Sequence, residues 1–188
     1  MKIIAGKHKG RKIHIEVDKS LRPTRPMVRE AVFSILTSGE FIDEEGNTAL
    51  DGALVLDLFS GSGSFAMEAL SRGARHVILF DKERKHLNLA KFNIESIKEQ
   101  DNTTLICADI ERIQPAKEPV DIVFIDPPYR KDLIVSSIEK LDATGWLKDS
   151  SIIIAETSVT DKLSTLEKFE LVLKREYGSS KVMLFRKS

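Results

Sequence analysis

The run Val120-Asp121-Ile122-Val123-Phe124-Ile125 ends in Asp126-Pro127-Pro128-Tyr129. Its length and β-branched content are those of a strand buried on both faces, as in a parallel sheet. The tetrapeptide therefore stands at a strand's carboxyl end. Two consecutive prolines bring no N–H and hold φ at roughly −65°, so the loop is stiff and its carbonyls are left as outward acceptors. A carboxylate precedes them and an aromatic ring follows. Such a set can grip an exocyclic amino group on a flat heterocycle, with Asp126 and the Pro127 carbonyl accepting its hydrogens and Tyr129 stacking on the ring. A turn that merely ends the strand is the plainer alternative for an isolated D-P-P-Y.

On either side of this run, strand-like and helix-like segments alternate. Strands are expected at 53–58, 76–80, 104–108 and 151–155, and helices at 64–72 (closed by Gly73), 83–99 and 133–141. The chain ends on two strand-like runs, 169–175 and 181–186, joined as a hairpin through Gly178-Ser179-Ser180. Alternation with short connections predicts an α/β fold: a doubly wound, Rossmann-like sheet, mostly parallel, with an antiparallel C-terminal edge hairpin. Ligands of such sheets lie beyond the strand carboxyl ends at the topological switch point.

An N-terminal β-hairpin and helix precede this core. Ile3-Ile4-Ala5 and Lys12-Ile13-His14-Ile15 flank Gly6-Lys7-His8-Lys9-Gly10, the spacing of a hairpin with a basic tip. Lys7, Lys9, Arg11 and Lys12 are candidate phosphate contacts, against the alternative that lysines guard an exposed edge. Leu21-Arg22-Pro23-Thr24-Arg25-Pro26 is a rigid loop in which Thr24 can cap a helix over 26–37, with Val28, Ala31, Val32, Ile35 and Leu36 on its buried face. The polar stretch 39–52 has the composition of a loose linker. The expected organisation is an appendage, 1–39, on an α/β unit, 40–188, forming one compact domain overall.

A chain of 188 residues, 41% of them hydrophobic, suffices for one well-buried domain. Its 29 basic and 29 acidic residues balance, but unevenly along the chain: residues 1–30 carry nine basic and three acidic side chains, a net +6 that leaves −6 for the rest. Binding surface for an anion is thus concentrated near one end. The single cysteine, Cys107, excludes an internal disulfide, suits a reducing cytosol and, set in a strand, is a packing residue rather than a nucleophile. No run approaches membrane-span length and the start lacks a signal-peptide core, so a cytoplasmic protein is expected. Four scattered histidines offer no ligand spacing, and no metal is expected.

Asp57-Leu58-Phe59-Ser60-Gly61-Ser62-Gly63 follows the first core strand and opens a helix, and its glycines let a ligand approach the backbone. Asp81 closes the next strand, 20 residues beyond Gly61, where a carboxylate can take both hydroxyls of a ribose. Gly61, Gly63 and Ala66 also satisfy a dinucleotide pattern, so glycine spacing alone does not separate NAD from S-adenosylmethionine. The neighbouring acids do. Asp57 sits badly beside a pyrophosphate but suits an α-amino group and a sulfonium cation. Asp109, at the third strand's end, adds an acceptor for an adenine amino group. Ordinary strand-end capping is the alternative for Asp57 and Asp109 taken singly. An NAD-dependent oxidoreductase on the same fold would also need a proton-handling histidine or serine-tyrosine-lysine set, and none follows the strands.

Asp57-x-Phe59-x-Gly61-x-Gly63, Asp81, Asp109 and Asp126-Pro127-Pro128-Tyr129 resemble the S-adenosylmethionine-dependent amino-methyltransferases. More narrowly, Ile3-Ile4-Ala5-Gly6-Lys7 to Gly10-Arg11, Leu21-Arg22-Pro23-Thr24 with Val28-Arg29-Glu30, Glu68-Ala69-Leu70-Ser71-Arg72-Gly73 and Gly145-Trp146-Leu147 resemble the bacterial 16S rRNA guanine-N(2)-methyltransferases of the RsmD family over nearly the full chain. Pro26 and Met27 stand where that family usually carries an acidic and a basic residue. The resemblance implies a methyltransferase sheet, S-adenosylmethionine as cofactor, and methyl transfer to a guanine amino group of 16S rRNA, presented by the small ribosomal subunit to a monomeric enzyme. It implies that Phe59, Ile110, Arg22 and Thr24 join Asp57, Gly61, Gly63, Asp81 and Asp109 around the cofactor. Asp126, Pro127 and Tyr129 would serve the target base, and Arg25 would join Lys7, Lys9, Arg11 and Lys12 on the RNA. A DNA adenine-N(6) methyltransferase is the alternative within the same chemistry.

Overall fold

The structure, a computed structural model, describes residues 1–15, 26–127 and 132–187. The alternation expected from sequence is borne out. Strands β1 (Leu54–Leu58), β2 (His76–Asp81), β3 (Thr103–Cys107), β4 (Val120–Ile125), β5 (Leu147–Ser158), β6 (Phe169–Tyr177) and β7 (Ser180–Lys187) form one sheet in the order β3-β2-β1-β4-β5-β7-β6. The first five are parallel, and β7 runs antiparallel between β5 and the edge strand β6. The β6–β7 hairpin closes through Gly178-Ser179, with Gly178 at φ 61°, as a primed two-residue turn requires. Strand order reverses between β1 and β4, whose last residues Leu58 and Ile125 are in register. That reversal is the switch point.

Helices α1 (Pro26–Leu36), α2 (Ser64–Ser71) and α3 (Arg84–Ser96) contribute to the hydrophobic core on one face of the sheet, and α4 (Asp132–Ala143) to that on the other. Pleating divides each central strand between them: Val55, Ile122 and Phe124 join the α1–α3 side, and Leu56, Leu58, Val123 and Ile125 the α4 side. Phe33 of α1 stacks on Phe65 of α2, which stacks on Phe124 of β4, with centroids 4.6 and 4.0 Å apart. β5 begins at Leu147, four residues before the apolar run, because Leu147 pairs with Val120. Ser151 then bridges the register shift, donating to the Val120 carbonyl at 2.7 Å and accepting from Lys148 N–H at 3.0 Å.

Every residue of α2 is buried, since the N-terminal hairpin and α1 cover what the sheet does not. The hairpin holds a single bridge, Lys2 with Lys12, and its Ile3 and Ile13 belong to the α1–α3 core. Burying a helix all round leaves Glu68, in its middle, fully out of water. Its carboxylate accepts Ile4 N–H at 2.9 Å, Ala5 N–H at 3.0 Å and Arg72 Nε–H at 2.9 Å, and faces the Arg29 guanidinium at 3.9 Å. Arg29 donates in turn to the Lys2 carbonyl at 2.7 Å. Gly6 lies so close to α2 that an added Cβ would stand 1.8 Å from the Ser71 carbonyl oxygen. Lys7 N–H donates to that oxygen and His8 N–H to Ser71 Oγ, at 2.8 and 2.9 Å.

Two expectations need correction. The buried face of α1 is Val28, Arg29, Val32, Phe33 and Leu36, with Ala31 and Ile35 only half-buried, because the charge on Arg29 is met by Glu68 from another segment. Nor is 39–52 loose: Phe41 and Leu50 are in the core, Ile42 bridges Thr48, and Gly52 N–H donates to the Gly73 carbonyl. Two apolar anchors suffice to fasten a segment whose average composition is polar.

Glu68→Gln removes the counter-charge from two enclosed guanidinium groups and weakens the acceptor for two backbone N–H groups. The expected loss is about 3–5 kcal/mol, the usual cost of breaking a buried ion pair from one side. Urea unfolding followed by circular dichroism measures it, and a loss below about 1 kcal/mol, the scale of an ordinary surface pair, would remove Glu68 as the fastening point.

Candidate active site

The chain leaves β1 at the switch point in a tight loop. Phe59, Gly61 and Gly63 have φ of 67°, 52° and 73°. A left-handed phenylalanine is strained by about 1–2 kcal/mol and persists only where its surroundings hold it. Here the Phe80 carbonyl accepts both Phe59 N–H at 2.9 Å and Ser60 N–H at 3.1 Å. Gly63 has a second reason to lack a side chain, since a Cβ would meet Leu79 and the Ala90 methyl at 3.0 and 3.1 Å where the loop packs on α3. Asn93 ties the loop down further by donating to the Ser62 and His14 carbonyls, each at 2.8 Å. Ser60 Oγ is buried without a partner among the described residues.

Three of the predicted acids gather around this loop. Asp57 is 2% exposed and accepts Ala66 N–H, in the first turn of α2, at 3.2 Å. Gly63 occupies the N-cap and has no side chain to do this, so Asp57 caps the helix from the neighbouring strand. Burial pushes its carboxyl well above the usual carboxylate range; the Ala66 N–H pulls the other way, and the nearby charges of Asp126 and Asp81 add to the rise. Asp81 accepts Gly61 N–H at 3.0 Å and Glu83 N–H at 2.8 Å, and His86 Nδ1 stands 3.2 Å from both its oxygens. Asp126 and Pro127 are half-buried directly after β4.

Asp109 lies exposed at the end of β3, where it caps a short 3-10 turn by accepting Glu111 N–H at 3.0 Å, while Ile110 is buried. The capping alternative thus holds for both Asp57 and Asp109, and in neither case does it use up the carboxylate. Cys107 is half-buried, with Sγ 3.7 Å from the Lys82 carbonyl. Tyr129, Arg22, Thr24 and Arg25 lie outside the described residues. Among the described residues no group of three acidic, histidine or cysteine side chains could hold a metal, and no helix is long and apolar enough to cross a membrane.

The basic tip of the hairpin stands apart from these acids, although its second strand, at His14, shares the Asn93 amide with the glycine loop. Its tip packs on Ser71, the last residue of α2, whereas the glycine loop precedes Ser64, the first. Lys9, Arg11 and Lys12 are exposed, but Lys7 Nζ pairs with Glu99 at 2.8 Å. His8 Nε2 reaches the same oxygen at 2.6 Å. Burial would raise the Glu99 carboxyl, yet hydrogen bonds from Lys7, Asn102 and His8 outweigh it and bring the pKa down to about 2. Glu99, His86 and Glu68 are the residues that sequence reasoning missed as partners. Glu68 alone left a signal, in its place within the Glu68-to-Gly73 signature.

Because burial raises the Asp57 pKa, the folded state binds its proton more tightly than the unfolded one, and stability contributed here falls as pH rises above the ordinary carboxylate pKa. Asn at this position mimics the protonated form and still offers Ala66 N–H an oxygen. Asp57→Asn is therefore expected to raise the stability of the ligand-free protein at pH 7.5 by about 1–2 kcal/mol and to flatten its pH dependence. Urea midpoints across pH 5–8 check this, and a variant less stable than wild type at pH 7.5 would contradict it.

The same architecture recurs in known proteins. The family model described as conserved hypothetical protein 95 matches residues 1–186. An uncharacterised methylase of Rickettsia prowazekii is 33% identical, with 100% of this chain and 98% of the relative aligned. The ribosomal RNA small subunit methyltransferase D of Escherichia coli K12 is 31% identical over 88% of this chain and 79% of its own length. A solved Escherichia coli chain provisionally named as a methyltransferase superimposes with a TM-score of 0.82 at 30% identity, covering 100% of this chain and 98% of the other. With a match across nearly all its residues and relatives of this identity aligned along most of its length, the chain belongs to the conserved hypothetical protein 95 family, which includes the small subunit methyltransferase D proteins.

Proposed function

We propose that this protein is an S-adenosylmethionine-dependent methyltransferase acting on the exocyclic N2 amino group of a guanine in 16S rRNA within the small ribosomal subunit. The observation that carries the reading is the gathering of Asp57, Asp81 and Asp126 at adjoining strand ends around a strained, backbone-anchored loop. A cofactor with a sulfonium and an α-amino group favours the ionised forms of these acids, whereas the pyrophosphate of a dinucleotide would oppose them. Ser60 Oγ, buried in that loop and without a partner among the described residues, fits a site that a polar ligand completes.

S-adenosylmethionine supplies an electrophilic methyl group, so the protein needs to position and desolvate rather than activate it. Asp126 and the Pro127 carbonyl hold the two N–H groups of the target amine, turn its lone pair toward the methyl carbon and leave Asp126 to take the proton released on transfer. Positioning of this kind supplies much of the rate. Lys9, Arg11 and Lys12 give the RNA phosphates an exposed basic surface, with Lys7 already engaged by Glu99.

The deciding experiment incubates the protein and labelled cofactor with unmodified small subunits, free 16S rRNA and duplex DNA, then identifies the methylated nucleoside. N2-methylguanosine from subunits is expected, and N6-methyladenine from DNA would replace the proposal. Asp126→Ala should lower turnover on the order of 10²-fold or more while cofactor affinity is largely kept. An equal loss of cofactor binding would move Asp126 into the cofactor site. Replacing Lys9, Arg11 and Lys12 with Ala should weaken RNA binding and shallow its log–log salt slope by about 0.7–0.9 for each phosphate no longer neutralised, with cofactor binding unchanged. An unaltered slope would leave these side chains as edge protection.

A further inference from the structure

Asp81 has more donors than a carboxylate that waits for a ligand requires. Gly61 N–H takes one oxygen and Glu83 N–H the other. His86, in the first turn of α3, adds a third donor shared between both oxygens at 3.2 Å, so that of the roughly four lone-pair sites of a carboxylate about one is left for a hydroxyl. Facing a carboxylate, Nδ1 carries the proton. Nε2 is buried and has no partner among the described residues, a burial that costs stability.

We propose that His86 is a positioning residue for the cofactor's ribose, fixing the Asp81 carboxylate in the orientation that receives a ribose hydroxyl. The inference rests on the S-adenosylmethionine reading above. The last torsion of an aspartate is broad and two-fold, so a carboxylate held only by two backbone N–H groups from separate loops can rock. A donor astride both oxygens suppresses that motion. The imidazole is well placed to do so, with its side chain 12% exposed against 8% for Asp81 and its own backbone N–H held by the Glu83 carbonyl at 3.0 Å. Since Asp81 also grips Gly61, the histidine steadies the hydroxyl acceptor and the glycine loop together.

The test compares His86→Asn, whose amide nitrogen overlays Nδ1, with His86→Gln, whose amide reaches only the place of Nε2, and with the apolar His86→Leu. Calorimetry on each measures affinity for S-adenosylhomocysteine and for its counterpart lacking both ribose hydroxyls, and thermal unfolding confirms that the variants are folded. Leu and Gln should weaken S-adenosylhomocysteine about tenfold, the lower end for loss of a group that orients a ligand-binding residue. They should leave the dideoxy counterpart nearly unchanged, and Asn should recover most of the loss. Unchanged or tighter binding by Leu and Gln overturns the proposal, as does an equal loss for both ligands. Should the wild type fail to bind S-adenosylhomocysteine at all, the cofactor reading fails first and the role of His86 with it.

Discussion

A single carboxylate with no access to water holds three separate parts of this chain together. Glu68 joins the hairpin backbone at Ile4 and Ala5, the α1 guanidinium of Arg29 and its own helix through Arg72. A buried charge is costly until every partner is present, so the arrangement is all-or-none: an undocked hairpin would strand the carboxylate, and an absent carboxylate would strand two guanidinium groups. The consequence reaches the site. Helix α2 carries Glu68 four residues after Ser64, where the glycine loop ends, and any shift of the helix would move Gly63 against Leu79 and Ala90, where no space remains. The N-terminal segment is thereby part of what keeps the loop in shape.

At the other end of α2 the electrostatics run against stability. Asp57 is buried near two further acids, and Phe59 stands in the left-handed region. Each feature costs the ligand-free fold, and each is compensated locally: the Ala66 N–H and the positive end of α2 soften the charge on Asp57, and the Phe80 carbonyl pins the turn. Strain of this kind persists where surrounding structure over-determines it. Here the surroundings are the core of α2 and its fastening by Glu68, so stability gathered at the hairpin end supports a locally unfavourable site.

What the sequence disclosed follows the range of the interactions. Strands β1, β2 and β4 are largely apolar runs, interrupted by Asp57 in β1 and Asp121 in β4, and Asp57, Asp81 and Asp126 stand at or beside the strand ends, so they were legible from local pattern alone. The burial of Arg29 was not, because it depends on a carboxylate 39 positions away in the chain. The capping of α2 by Asp57 was hidden for a related reason: a cap is sought just before its helix, whereas this one acts from the preceding strand. His86 looked like an ordinary polar residue of the helix expected over 83–99, and only the fold turns it toward Asp81. Polar composition misled at 39–52 because Phe41 and Leu50 anchor it through packing that composition does not register.

The separation of charge constrains the substrate on the proposed reading. The basic tip packs at the carboxyl end of α2 and the acids lie before its amino end, so the eight residues of that helix, about 12 Å of rise, stand between them. An RNA that contacts Lys9 or Arg11 while presenting a base to Asp126 extends along the length of α2. A cationic cofactor and an anionic polymer are in this way drawn to opposite ends of one short helix. The base alone, the uncharged part of the nucleotide, is left to cross into the acidic zone.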